Sequence, residues 1–291
     1  MPELPEVETI KKGLEVLLPG KVVGHVVSDW PKSFPNDKQT VDNFLVNSSI
    51  KVVRRRGKAI LIDLSSGYSL AIHLKMTGQL VYKDTSNRFG GGHPTGSLIG
   101  RLPDKSTRVT IDFKDKSKLF FNDQRKFGWV RLLPTTEITN LAFFKKIGPE
   151  PLEANFTDKL FSVQLKRRPN SQIKAALLDQ TVIAGIGNIY ADESLWLAKI
   201  HPAERVKNLT PTKIKKMHTS IIEVLNASIK NGGSTDRNYV DAEGNKGSYL
   251  KLASVFRKDG QPCPRCGTLI IKTRVAGRGT HICLNCQRLK K

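Results

Sequence analysis

Two neighbouring residues at the start of the chain, Pro2 and Glu3, could do covalent chemistry on an electrophilic carbon. Once Met1 is removed, Pro2 presents a secondary amine with a reference pKa of about 7.7–8, so roughly a tenth to a sixth of it is neutral at pH 7. A lysine side chain at about 10.4 would be neutral in under one part in a thousand. A secondary amine that attacks carbon yields a charged iminium, a strong electron sink, and a carboxyl group one residue away could move the protons. Ordinary helix capping competes with this reading: Pro5 suits a first helical turn, and Glu3, Glu6 and Glu8 suit the positive end of its dipole.

The second chemical cluster is at the other end. Cys263-Pro-Arg-Cys266 and Cys283-Leu-Asn-Cys286 are two Cys-x-x-Cys pairs separated by sixteen residues, the spacing of a zinc ribbon. Four thiolates close a tetrahedron and leave no open position, so the expected cofactor is one structural zinc ion. Between the pairs, Val275-Ala-Gly-Arg278-Gly-Thr280 places an arginine between glycines at a hairpin tip. Such an arginine either probes a phosphate or simply faces water.

The elements that must position these groups are short. Apolar Val7, Ile10, Leu14, Leu17 and Leu18 recur at helical spacing, predicting a helix over about 4–18 that ends at Pro19-Gly20. Residues 21–133 read mainly as strands, at 21–27, 50–53, 59–64, 69–74, 108–113 and 118–121, with enough alternation for a β-sandwich whose sheets keep one face in water. Basic and apolar residues sit at their ends: Arg54-Arg-Arg-Gly-Lys58, His73-Leu-Lys-Met76-Thr-Gly78, and Asp123-Gln-Arg125-Lys-Phe127-Gly128. Met76 by itself reads as core filler. The glycine-rich 88–96 reads as a mobile surface loop. After Ile147-Gly-Pro-Glu-Pro-Leu152 the pattern turns helical, at 157–166, 171–178, 191–197 and 211–230. Gly185-Ile-Gly187-Asn188 between two of these helices either makes a tight turn or lets backbone amides approach a phosphate.

Lysine and arginine number 48 against 26 acidic residues, a net charge of +22. That excess calls for a polyanionic partner, nucleic acid before membrane, without naming the chemistry. No long apolar run and no signal peptide interrupt the chain, which predicts a soluble cytoplasmic protein.

Met1-Pro-Glu-Leu-Pro-Glu-Val-Glu-Thr9, the Met76 and Arg125-x-Phe127 pair of loops, the Gly-x-Gly-Asn turn and the cysteine hairpin resemble, in order and over nearly the whole chain, the bacterial formamidopyrimidine-DNA glycosylases. The resemblance implies an α+β multidomain fold: an N-terminal helix and β-sandwich over 1–139, a helix-two-turn-helix domain over 140–235, a capping loop and linker over 236–256, and a zinc finger over 257–291. It implies a monomer acting on damaged double-stranded DNA near the bacterial nucleoid, excising 8-oxoguanine and formamidopyrimidines and then nicking the strand. Pro2 becomes the nucleophile, Glu3 its acid/base, and Glu6 a support for the helix and sugar. Lys58 and Arg278 contact the departing phosphates, and Met76, Arg125 and Phe127 fill the hole left by an everted base. Lys174, Asn188 and Arg168 bind flanking phosphates. Family members carry His-Asp-His where this chain has Ser106-Thr107-Arg108, so Arg108 is expected to take over a phosphate contact. A sister endonuclease for oxidised pyrimidines shares Pro2, Glu3 and the hairpin. A noncatalytic zinc-ribbon protein would share the charge.

Overall fold

The computed structural model describes residues 1–93, 95–234 and 248–289. In chain order it contains α1 (Leu4–Leu17), β1 (Val23–Ser28), α2 (Lys38–Phe44), β2 (Ile50–Arg56), β3 (Ala59–Leu64), β4 (Tyr68–His73), β5 (Gly78–Lys83), β6 (Arg88–Gly92), β7 (Thr107–Phe113), β8 (Lys118–Asp123) and β9 (Trp129–Pro134). Then follow α3 (Ala142–Lys145), α4 (Asp158–Lys166), α5 (Ile173–Leu178), α6 (Asn188–Ala198), α7 (Pro211–Lys230), α8 (Tyr249–Leu252), β10 (Ile271–Val275) and β11 (Arg278–Ile282). Two compact units emerge: Met1–Lys145 with the described part of Asn231–Ser248, and Lys146–Lys230 with the described part of Tyr249–Lys291. The four sequence segments thus regroup, because the cysteine hairpin packs as part of the helical unit. No helix among the described residues is long and apolar enough to cross a membrane.

The first unit is a sandwich of two antiparallel sheets, β1-β7-β8-β5-β6 and β2-β3-β4-β9. Alternate residues enter its core: Ile60, Ile62 and Ile72 from one sheet meet Leu80, Tyr82, Val109 and Phe121 from the other, and Ile10 and Leu14 of α1 close one side. The outer faces, expected to be wet, are locally covered. Leu61 and Ala71 pack under Ile138 and Phe144, while Val81 and Phe120 pack under Leu98. Strands covered on both faces lose the period-two signature, which explains why β5, buried along all but its last residue, does not stand out in the sequence.

Residues 88–92, expected as a mobile loop, are an edge strand paired with β5. Their glycines serve packing rather than motion. Phe89 lies against Gly13 of α1, where a Cβ would fall 2.2 Å from the ring, and Gly92 adopts φ +127 with its would-be Cβ 2.3 Å from the Gly78 carbonyl. Only glycine fits either close approach.

In the second unit, α6 packs on α7 and Tyr190 meets Ser228 at 2.6 Å, with Phe156, Phe161 and His218 forming an aromatic cluster beside them. Thr157 caps α4 by accepting from the Leu160 amide at 3.1 Å.

Candidate functional site

Pro2 is buried at the mouth of α1, one residue ahead of its N-cap, Glu3, which is 4% exposed; Met1 is half exposed. Glu6 fixes this turn with both oxygens. Its Oε2 accepts from the Glu3 amide at 2.8 Å, and its Oε1 accepts from the Ser234 amide and hydroxyl at 2.8 and 2.9 Å. Pro2 and its neighbouring carboxyl group therefore sit on a frame held by a buried carboxylate.

Lys58 follows the β2–β3 turn, made possible by Gly57 at φ +58, and its side chain is largely buried. Ala59 pairs with His73 across the sheet. Burial first, then the charges of Lys75 and Lys58, push the His73 pKa down to about 3, so this imidazole is neutral. Its Nδ1 accepts from the Lys75 amide at 2.9 Å. His93, at the end of β6, is also pushed below the ordinary histidine range, by burial and then by the N-terminal charge, with Asp123 opposing. Of the arginines before Lys58, Arg54 pairs with Asp63 at 2.6 Å and Arg55 with Glu8 at 2.7 Å, so both brace the sandwich.

Met76, Arg125 and Phe127 stand out at one end of the sandwich. Met76 is 41% and Phe127 54% exposed, and the Arg125 guanidinium stacks 4.8 Å from the Phe127 ring centre. Asp123, fully buried, aligns them: it accepts from the Thr77 hydroxyl of the Met76 loop and, at 3.2 and 2.6 Å, from the Arg125 and Gly128 amides of the other. Neither Thr77 nor Asp123 stood out in the sequence, although a short turn with an acid at its head is an Asx-turn signal.

Arg108 is placed differently from the phosphate contact expected of it. Its side chain is only 7% exposed, pairs with Asp29 at 2.7 Å, and donates to the Asp123 and Lys105 carbonyls at 3.0 and 2.5 Å. A guanidinium committed to these acceptors supports the Asp123 turn from inside.

In the helical unit, Gln180 holds the double turn before α6: its Oε1 accepts from the Gly185 amide at 2.9 Å and its Nε2 donates to the Ile186 carbonyl at 2.8 Å. Gly185 takes φ +82, Gly187 caps α6, and Asn188 opens the helix with a buried Oδ1 that has no hydrogen-bond partner among the described residues. The amide NH2 of Asn188, a donor at the positive end of the α6 dipole, suits an anion. Arg168 is half exposed and bonds Asp179 at 3.0 Å. Lys174, expected at a phosphate, is fully buried: its ammonium meets Asp192 at 2.6 Å and donates to the Gly279 carbonyl and Thr280 hydroxyl, each at 2.8 Å.

The four cysteine sulfurs lie within 4.8 Å of one another. Contacts of 3.4 Å (Cys266 to Cys283 and to Cys286) and 4.0 Å (Cys263 to Cys286) bracket the sulfur–sulfur edge of about 3.8 Å that a zinc tetrahedron with bonds near 2.3 Å requires. The donor set fits zinc. Trp196 of α6 donates to the Cys263 sulfur at 3.4 Å, and Arg265 lies 3.9 Å over its ring while donating to its carbonyl. Arg278 is exposed after a turn in which Ala276 and Gly277 both have positive φ, the type I′ geometry of a tight hairpin. The expected lesion-capping loop falls largely in 235–247, outside the described residues.

Sandwich, helix-two-turn-helix and four-thiolate hairpin together define a multidomain α+β protein of the zinc-ribbon, nucleic-acid-handling class. Three domain families match in succession: the formamidopyrimidine-DNA glycosylase N-terminal domain over residues 1–130, the formamidopyrimidine-DNA glycosylase H2TH domain over 147–239, and the zinc finger found in FPG and IleRS over 260–289. The chain belongs to the formamidopyrimidine-DNA glycosylase family. It is 40% identical over 291 residues to the formamidopyrimidine-DNA glycosylase of Pelotomaculum thermopropionicum and 41% identical over 293 to that of Desulforamulus reducens, covering all of both chains. Among solved structures, the Lactococcus lactis enzyme bound to abasic-site DNA matches with a TM-score of 0.86 at 36% identity, covering 99% of this chain and 100% of that one. MutM in complex with carbocyclic 8-oxo-G DNA matches at 0.85 and 35%, with the same coverage.

Proposed function

We propose that this protein is a DNA glycosylase and AP lyase that removes oxidised purines, 8-oxoguanine and formamidopyrimidines, from duplex DNA. The observation that carries the mechanism is the Glu6 clamp, which fixes Glu3 and the adjoining Pro2 in one buried turn. After loss of Met1, the Pro2 nitrogen forms a bond to deoxyribose C1′ as the glycosidic bond breaks and the base departs with that electron pair. Glu3 protonates O4′ as the sugar opens, leaving an iminium. The iminium acidifies C2′, so a proton leaves there and the 3′ phosphate is expelled. A second elimination expels the 5′ phosphate and leaves a one-nucleotide gap. Lys58 and Arg278 stabilise the departing phosphates. Met76, Arg125 and Phe127 fill the space of the everted nucleotide, and Asn188 and Arg168 hold the backbone. Zinc bound by Cys263, Cys266, Cys283 and Cys286 keeps the hairpin folded. The enzyme acts as a monomer on cytoplasmic, nucleoid DNA.

Borohydride should trap a covalent adduct between the protein and an 8-oxoguanine·cytosine duplex, with little from a thymine glycol duplex. Acetylating or extending the N-terminus should abolish trapping. An adduct formed undiminished by protein that retains Met1 would overturn the assignment of Pro2; binding without any incision would favour a purely structural DNA binder.

A further inference from the structure

The buried Lys174 ammonium raises a question that its expected phosphate role leaves unanswered. At 0% exposure it cannot reach a backbone phosphate, yet a buried ion pair adds little stability over an apolar pair of the same volume. Its contacts indicate another task. Lys174 on α5 and Asp192 on α6 grip consecutive residues of β11: Lys174 donates to the Gly279 carbonyl and the Thr280 hydroxyl, and Asp192 accepts from the His281 amide at 2.9 Å. The Thr280 hydroxyl in turn donates to the Arg278 carbonyl at 3.0 Å.

The hairpin needs such an anchor. Arg278 lies five residues from the nearest cysteine, Cys283, about 17 Å along an extended strand, and residues 271–274 of the partner strand are exposed. A lone two-stranded ribbon is marginal in water, so the thiolate cluster fixes one end and leaves the tip unsupported.

We propose that Lys174, Asp192 and Thr280 are positioning residues that set the hairpin tip, so that Lys174 acts on the lesion phosphate only through Arg278. The inference rests on the reading that Arg278 holds that phosphate. Thr280 is the relay: it receives the Lys174 proton donor and passes its own to the Arg278 carbonyl.

Thr280→Val removes both bonds while keeping the β-branched shape and leaving the Lys174–Asp192 pair intact. Zinc content and melting temperature should stay at wild-type values. Base release and the borohydride adduct should stay within about twofold, whereas the product of the second elimination, relative to the first, should fall about tenfold, as in Arg278→Ala. Thr280→Ser should restore it, and adding Thr280→Val to Arg278→Ala should change nothing further. Affinity for a duplex carrying a tetrahydrofuran site, which needs no chemistry, should fall equally in Thr280→Val and in Arg278→Ala. An unchanged product ratio and affinity in Thr280→Val, or a uniform loss of all steps together with zinc, would overturn the positioning role. Absence of excision and adduct in the wild type would instead overturn the proposed function, and the tetrahydrofuran affinities would still decide the relay.

Discussion

The carboxylate of Glu6 reaches Ser234, 228 residues away in sequence: its Oε1 accepts two bonds from Ser234 while its Oε2 accepts the amide of Glu3. Because the group is 5% exposed, water cannot replace these bonds if the acceptor is lost. Glu6→Ala should cost about 2–3 kcal/mol of stability and slow borohydride trapping at least tenfold, since a reactive group displaced by about 1 Å can lose 10²-fold. Glu6→Gln, which keeps one acceptor, should fall between. Trapping by Glu6→Ala within twofold of wild type would show that Pro2 does not depend on the clamp.

The Met76 and Phe127 side chains make no core contact that their exposure would betray, so truncating them should separate function from stability. Phe127→Ala should melt within about 0.5 kcal/mol of wild type. Excision of 8-oxoguanine should fall about 10- to 100-fold, because a wedge lowers the unstacking cost of eversion. Cleavage at a preformed abasic site, where no base must be everted, should fall far less. Equal losses on both substrates would remove these residues from the eversion step. Asp123→Asn should mimic Phe127→Ala only in part, since it loosens the Gly128 and Thr77 bonds without shortening the wedge.

Local patterns in the chain foretold the parts whose cause is local. Helical spacing of Ile10 and Leu14 and the cysteine spacing specify α1 and the hairpin without reference to anything distant. The sequence could not say which way a basic residue points. Arg108 turns inward because Asp29, 79 residues away, waits for it, and Lys174 because of Asp192 on the next helix. A trace of the latter was present: Asp192 and Glu193 lie in a helix with apolar residues on every side, so both acids needed buried partners. Glu193 finds three, the amides of Ser254, Val255 and Phe256 at 2.7 to 2.9 Å. The glycines of β6 misled for a related reason, since turn chemistry and close packing call for the same residue.

His73 makes the sandwich sensitive to acid. Its pKa is about 3 in the folded protein and 6.5 in an unfolded chain, so the unfolded state binds the proton more readily as pH falls through 6.5. Stability from this group is fully present above pH 6.5 and is lost progressively down to about pH 3. Between pH 7 and pH 5 the loss should be about 2 kcal/mol. His73→Asn, whose amide oxygen can stand in for Nδ1 toward the Lys75 amide, should flatten that part of the profile. Urea midpoints from pH 7 to 5 with parallel slopes for wild type and variant would show that another group titrates.

Removing zinc should uncouple the hairpin from the rest of the chain. Trp196, Val255, Ile270, Cys263 and Cys283 form one small apolar cluster around the thiolates. Chelation leaves four thiols with no central charge to hold them, and structural zinc contributes folding free energy on the order of 10 kcal/mol in isolated fingers. The Trp196 indole then loses the Cys263 sulfur and the Arg265 cation, so its fluorescence should change with zinc release. Duplex affinity should drop at least tenfold through Arg278. The β-sandwich core contains no cysteine, and its transition should persist in the calorimetric trace while the helical unit melts earlier. Cys266→Ser should reproduce the chelated state at full zinc supply. Unaltered affinity and a single unshifted transition after chelation would separate the thiolate cluster from both folding and DNA binding.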